Sequence, residues 1–132
     1  GGFVLEFKNE RKVYMEKIIR ISTKDYKMKA SALTQFAYKN ETGRSFLNDL
    51  QELTKLQGNI EDIANIDNVV ELVLKVAYTM IKQADKNQVV NYEDFLDGID
   101  SLFDDTAWIS EVLELACSPL SGQLQISKKE IQ

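Results

Sequence analysis

The run VVELVLKVAYTMIKQA, residues 69–84, constrains the rest of the chain more than any other stretch. Val69, Val70, Leu72, Val73, Leu74, Val76, Ala77, Met80, Ile81 and Ala84 fall on nearly every side of a helix, and a helix that is apolar almost all round is a buried one. Asp67 stands where an N-cap would, and the polar run Asp85, Lys86, Asn87, Gln88 is expected to turn the chain after Ala84. The other elements should therefore cover this one central helix.

The covering elements are read from shorter patterns. Phe3, Leu5 and Phe7 alternate with Val4, Glu6 and Lys8; after a break at Asn9-Glu10 come Val13, Tyr14, Met15, Ile18, Ile19 and Ile21, a β-branched and aromatic run expected to pair as a hairpin or small sheet. From about Lys29 the period lengthens, with Ala30, Leu33, Phe36, Ala37 and Tyr38 at helical spacing up to Glu41-Thr42-Gly43, where Gly43 can take the left-handed conformation that ends a helix. Ser45 caps a next helix carrying Phe46, Leu47, Leu50, Leu53 and Leu56, with Gly58 as its stop and a short turn expected around Asn59 to Ala64. Past the central helix, Asn91 caps a helix with Asp94 three residues on; Tyr92, Phe95, Leu96, Ile99, Leu102 and Phe103 form its apolar stripe and Glu93, Asp94, Asp97 and Asp100 its acidic face. A last helix spans roughly Thr106 to Cys117 and is closed by Pro119. The expected fold class is mainly α, of the α+β kind: an N-terminal β-hairpin or small sheet followed by a bundle of four to five helices. Residues 1–118 should form a single domain and residues 119–132 a flexible tail.

Composition removes several classes of function. The chain of 132 residues has no histidine, which eliminates Ser-His-Asp and Cys-His nucleophile systems and the usual zinc sites. Its single cysteine, Cys117, cannot form an internal disulfide and suits a reducing compartment. Neither a GxxxxGK[ST] nor a GxGxxG run is present to cradle phosphates, and no stretch of about eighteen apolar residues offers a membrane span. The pair Asp104 and Asp105 fits a helix start better than acid-base catalysis. QADKNQVVNYEDFLDGID, residues 83–100, looks like a calcium loop, but counting from Asp85 puts Val89 at position 5, Val90 where the turn needs glycine and Leu96 where a bidentate glutamate belongs. A register starting at Asp100 fails likewise, with Leu102 at a ligand position. No cofactor, metal or catalytic residue is expected, and the chain reads as a non-enzyme.

The net charge of −5 hides a polarity. Residues 1–44 carry ten Lys or Arg against five acids, a balance of +5, while residues 87–127 carry eight acids and no basic residue. The two ends can neutralise one another inside one subunit or serve head-to-tail contacts between subunits.

The segment ALTQFAYKNETGRSFLNDLQEL, residues 32–53, resembles the tail assembly chaperones of long-tailed bacteriophages and prophages: an amphipathic helix with an aromatic, an E-T-G step, a polar pair, an aromatic and an acidic-leucine step. The matching residues are Phe36, Glu41, Thr42, Gly43, Phe46, Asp49 and Leu50. VVELVLKVAYTMIKQADKNQVVNYEDFLDGID looks like the family's second signature, and the likeness runs from about residue 3 to 118 in the order of its parts. It implies a non-enzymatic protein, acting as a homo-oligomer in the host bacterial cytoplasm and absent from the mature virion. Such proteins bind the long, helical, aggregation-prone tape measure protein and help the tail tube protein polymerise around it.

A chaperone for helices needs apolar ridges that grip an amphipathic partner. Phe95, Leu102, Phe103, Trp108, Ile109 and Leu113, on the two closing helices, form the candidate contact set, although in a four- or five-helix domain each has core packing as its alternative. The acidic C-terminal third also suggests a small phage-encoded inhibitor or DNA mimic; against it, the acids sit opposite apolar stripes, as ordinary solvation requires, and the N-terminal third is basic. No nucleic-acid or membrane partner is expected.

Overall fold

In the computed structural model, which describes residues 14–56 and 63–131, the first described elements are two antiparallel strands, β1 (Tyr14–Ile21) and β2 (Lys24–Ser31). They pair from Tyr14 opposite Ser31 to Ile21 opposite Lys24. Alternation explains their faces: Ile19 and Ile21 of β1 and Tyr26, Met28 and Ala30 of β2 point into the core, while Ile18, Arg20, Asp25 and Lys27 face outward. An N-terminal hairpin is thus present, but it pairs residues 14–21 with 24–31 across a turn at Ser22-Thr23, while the strand expected over Phe3 to Lys8 and the break at Asn9-Glu10 lie outside the described residues. The helix expected from Lys29 does not start there. Ala30 fits both a strand with Tyr26 and Met28 and a helix with Leu33 and Ala37, and cross-strand hydrogen bonding to β1 gives residues 24–31 to the sheet.

The turn is held by a distant segment. Ser22 adopts φ 61°, which a non-glycine residue adopts at a cost; the Ser101 backbone N–H donates to Ser22 Oγ (3.0 Å), and Thr23 Oγ1 donates to Asp100 Oδ2 (3.0 Å). At the other edge of the hairpin, Gln88 takes the place of a neighbouring strand. Its Oε1 accepts from Lys27 N (2.9 Å) and its Nε2 donates to Lys27 O (2.7 Å) and to Ile81 O (3.0 Å), so that stretch of β2 edge is closed to another chain.

Five helices follow among the described residues: α1 (Leu33–Thr42), α2 (Phe46–Leu56), α3 (Ile63–Ala84), α4 (Tyr92–Asp97) and α5 (Ala107–Ile131). As its composition requires, α3 is the central helix, with Val69, Val73, Val76, Ala77, Met80 and Ile81 fully buried. It lies across β2, and α5 lies across β1, so the two helices cover one face of the sheet. Helix α3 starts at Ile63 and not at Asp67, which sits exposed inside it. Gly58 and most of the short turn expected around Asn59 to Ala64 fall outside the described residues.

The caps behave as their chemistry dictates. Gly43 ends α1 at φ 73° with its N–H on Lys39 O; Asn91 Oδ1 accepts from Asp94 N (2.8 Å) to start α4, and Asp105 Oδ1 accepts from Ala107 N (2.9 Å) to start α5. Two helix ends differ from expectation. Helix α4 stops at Asp97 instead of running through Phe103; its end tightens, with the Gly98 N–H shared between Asp94 O and Phe95 O and the Ile99 N–H on Leu96 O, three residues back. Helix α5 continues through Pro119 to Ile131, where a tail had been expected. Pro119 has no N–H for the carbonyl of Leu115, and the Ser118 hydroxyl supplies the missing donor at 2.6 Å.

Candidate polypeptide-binding surface

The residues of the E-T-G segment build the corner between α1 and α2. Thr42 Oγ1 donates to Tyr38 O (2.7 Å) and accepts from Arg44 N (3.1 Å), Gly43 reverses the chain, and Ser45 Oγ accepts from Asn48 N (3.3 Å). Phe46 and Leu50 are buried in the core, with the Phe46 ring edge-on to Tyr38 at 5.3 Å. Asp49 is only 4% exposed yet is fully partnered: Arg44 Nε and Nη2 donate to its two oxygens (2.8 and 3.0 Å) and the Tyr38 hydroxyl donates to Oδ2 (2.6 Å). Burial alone would push the Asp49 carboxyl up, but the hydrogen bonds from Arg44 and Tyr38 and the guanidinium charge outweigh it and hold it below the ordinary carboxylate range. Tyr38 is pushed up by burial and by the Asp49 carboxylate it serves. Among the seven family-motif residues, Thr42, Gly43, Phe46, Asp49 and Leu50 therefore form this corner, while Glu41 and Phe36 face solvent.

The contact set expected on the closing helices divides. Phe95 is fully buried, edge-on to Tyr26 at 5.4 Å and beside Tyr78 and Tyr92; Trp108, Ile109 and Leu113 are buried where α5 meets the sheet and α3. These four side chains hold the fold together and present no surface to a partner. Leu102 is half-buried, its carbonyl accepting from Trp108 Nε1 (3.2 Å), and Phe103 is 52% exposed. A helix reading of residues 92–103 places Phe95, Leu102 and Phe103 on one stripe; with α4 ending at Asp97, Phe103 leaves that alignment.

The charge polarity is met in part within the chain. Lys17 Nζ lies 3.7 Å from Glu111, Thr23 donates to Asp100, and Lys24 shares a polar cleft with Asp94 and Asp97. The Tyr26 hydroxyl, at the same junction, is pushed up by burial and by the carboxylates of Asp94 and Asp100.

What the periodicity missed is that α1 is inverted. Its buried residues are the hydroxyl-bearing Thr34 and Tyr38, whereas Leu33 and Phe36, one turn apart, are 60% and 61% exposed. The inward side is fastened by polar bonds: Thr34 Oγ1 accepts from Ser31 N (2.8 Å) and donates to Gln83 Oε1 (2.7 Å), and Gln83 Nε2 donates to Ser31 Oγ (2.8 Å). An open groove of about 620 Å³ runs between α1 and the C-terminal end of α3, with Leu33, Ala37 and Glu41 on one wall and Lys82, Gln83 and Lys86 on the other. In the segment ALTQFAY the apolar residues are spread over two faces, and only a count of hydroxyls against aliphatics on each face would have signalled this.

Among the described residues no three His, Cys, Asp or Glu side chains come together to hold a metal ion, and no helix is long and apolar enough to cross a membrane. Cys117 is half-buried, and burial pushes its thiol up. Compared with protein-family models, with curated proteins and with solved structures, the chain matches none.

Proposed function

We propose that this chain is a tail assembly chaperone of a long-tailed bacteriophage or prophage, a non-enzymatic oligomer of the host bacterial cytoplasm. It holds the tape measure protein in solution and promotes tail tube assembly around it. The observation that carries this is the inverted helix α1, which leaves an aliphatic and an aromatic side chain exposed on an element locked in place by hydrogen bonds. Exposed apolar residues on a rigid support suit the reversible gripping of another polypeptide. The order of the sequence signatures from the first helix through the acidic one supports the same function, and so does the mixed-charge exterior that keeps a complex soluble.

The test is co-expression with the tape measure protein encoded beside this chain. The partner is expected to move into the soluble fraction and to co-elute with the chaperone. A partner that stays insoluble, with no co-elution, refutes the proposal.

A further inference from the structure

The geometry points to the groove between α1 and the end of α3 as the seat of an amphipathic helix from a partner protein, one flank of that helix acidic and the other basic. This rests on the proposed function and adds where the partner sits and what chemistry it carries. Leu33 and Ala37, four residues apart, lie along the groove on one wall, with Phe36 on the adjoining crest of α1. A helix laid in this groove would meet them with a stripe of its own at i, i+3, i+4 and i+7.

The walls are fixed before anything binds. The Ser31, Thr34 and Gln83 bonds clamp α1 to α3 at one end, and the Arg44, Asp49 and Tyr38 bonds clamp the corner at the other. The backbone of these walls needs no reordering on association, so burial of Leu33 and Phe36 is offset only by fixing the exposed side chains themselves.

Charge sets which helix fits and which way it lies. The wall formed by the end of α3 and the residues after it carries Lys82 and Lys86 together with Asp85 and is net positive by one charge, whereas the α1 wall carries Glu41. Lys82 Nζ is oriented by the carbonyls of Lys86, Val89 and Val90, at 3.2 to 3.5 Å, and these neutral acceptors leave its positive charge in place. A partner helix therefore places carboxylates toward Lys82 and Lys86 and basic side chains toward Glu41. A helix uniformly basic along both flanks meets a net positive charge on the α3 side, where two ammonium groups outnumber the one carboxylate of Asp85.

The test uses a synthetic 21-residue helical peptide with leucines at i, i+3, i+4 and i+7, glutamates along one flank and lysines along the other. It is titrated into the isotope-labelled full chain and followed by amide chemical shifts. Shifts are expected to cluster on residues 33–41 and 79–86. The double substitution L33D/F36D, at exposed positions where the thermal midpoint is expected to stay close to that of the unsubstituted chain, is expected to weaken binding about tenfold or more. K86E is expected to weaken this peptide and an all-lysine-flanked peptide is expected to bind wild type less well. Absence of shifts at millimolar peptide, shifts centred elsewhere such as around Phe103, or undiminished binding by L33D/F36D overturns the inference. Sedimentation showing a wild-type dimer that L33D/F36D converts to monomer also overturns it, by assigning the groove to a second copy. Tape measure protein solubilised equally by L33D/F36D and wild type would leave the chaperone function standing and remove the groove from it. Peptide bound in the groove without solubilisation of the tape measure protein would do the reverse.

Discussion

Substitution of Asp49 by alanine gives the most direct measure of what holds the α1–α2 corner. The Tyr38 residue is fully buried and its hydroxyl donates to Asp49 Oδ2, so the alanine variant leaves a buried donor without its acceptor, at about 1–3 kcal/mol. Loss of the bond pair to Arg44 adds less, because that side chain is 48% exposed and water re-solvates it; about 1 kcal/mol is a fair upper figure. The total, about 1–4 kcal/mol, corresponds in a domain of this size to a fall of roughly 3–14 °C in Tm. Asp49→Asn keeps an oxygen for Tyr38 and is expected to cost about half as much, with the Arg44 charge pairing lost. Urea unfolding followed by far-ultraviolet circular dichroism and by Trp108 fluorescence measures both. A cost below about 0.5 kcal/mol for Asp49→Ala, or equal costs for the two variants, would show that the corner is not held by these bonds.

The same cluster sets pH limits. Because Asp49 is held below its ordinary value, its contribution is present above about pH 4 and is lost as pH falls through its folded-state value; because Tyr38 is pushed up, its contribution is intact below about pH 10 and is lost in stronger alkali. Arg44→Met removes a group that lowers the Asp49 value, so the part of the acid-side loss due to Asp49 should be smaller and complete at higher pH than in the unsubstituted chain, as acid titrations of the two proteins will show. Ser118→Ala removes the donor to Leu115 O and should cost about 1 kcal/mol, whereas in a Pro119→Ala background, where the backbone N–H is restored, the same change should cost almost nothing; a double-mutant cycle without this coupling would refute the assigned role. Gln88→Ala opens the outer edge of β2 and should speed amide exchange at Lys27 by at least several-fold, while leaving residues of the β1–β2 ladder protected.

Local signals in the chain were read where a single segment carries the whole cause. Gly43 ends α1 because no side chain opposes a positive φ, and Asn91 starts α4 because its own side chain answers the Asp94 N–H; both depend on residues within four positions. The hairpin turn at Ser22-Thr23 was not legible, since neither residue belongs to the glycine and asparagine types that mark two-residue turns, and its support comes from Asp100 and Ser101 across the fold. Pro119 marked a helix end by its ring chemistry, and the hydroxyl next to it compensated. Among the candidate partner residues, an amphipathic stripe on the closing helices promised contact surface, but such a stripe has the same sequence whether it meets a partner or the chain's own sheet. Phe95, Trp108, Ile109 and Leu113 meet the chain's own core.

By itself the sequence determined that this protein would have a buried central helix, where several helices begin and end, and that no histidine-based chemistry is available to it. These follow from side-chain type and from spacings of three and four residues, which act within one turn of backbone. The tertiary structure alone decided that residues 24–31 are strand, that α5 runs through its proline, and that α1 turns its hydroxyls inward and its Leu33 and Phe36 out. Those outcomes depend on partners tens of residues away, such as Gln83 for Thr34 and Ser101 for Ser22, whose hydrogen bonds exist only once the chain has brought them together.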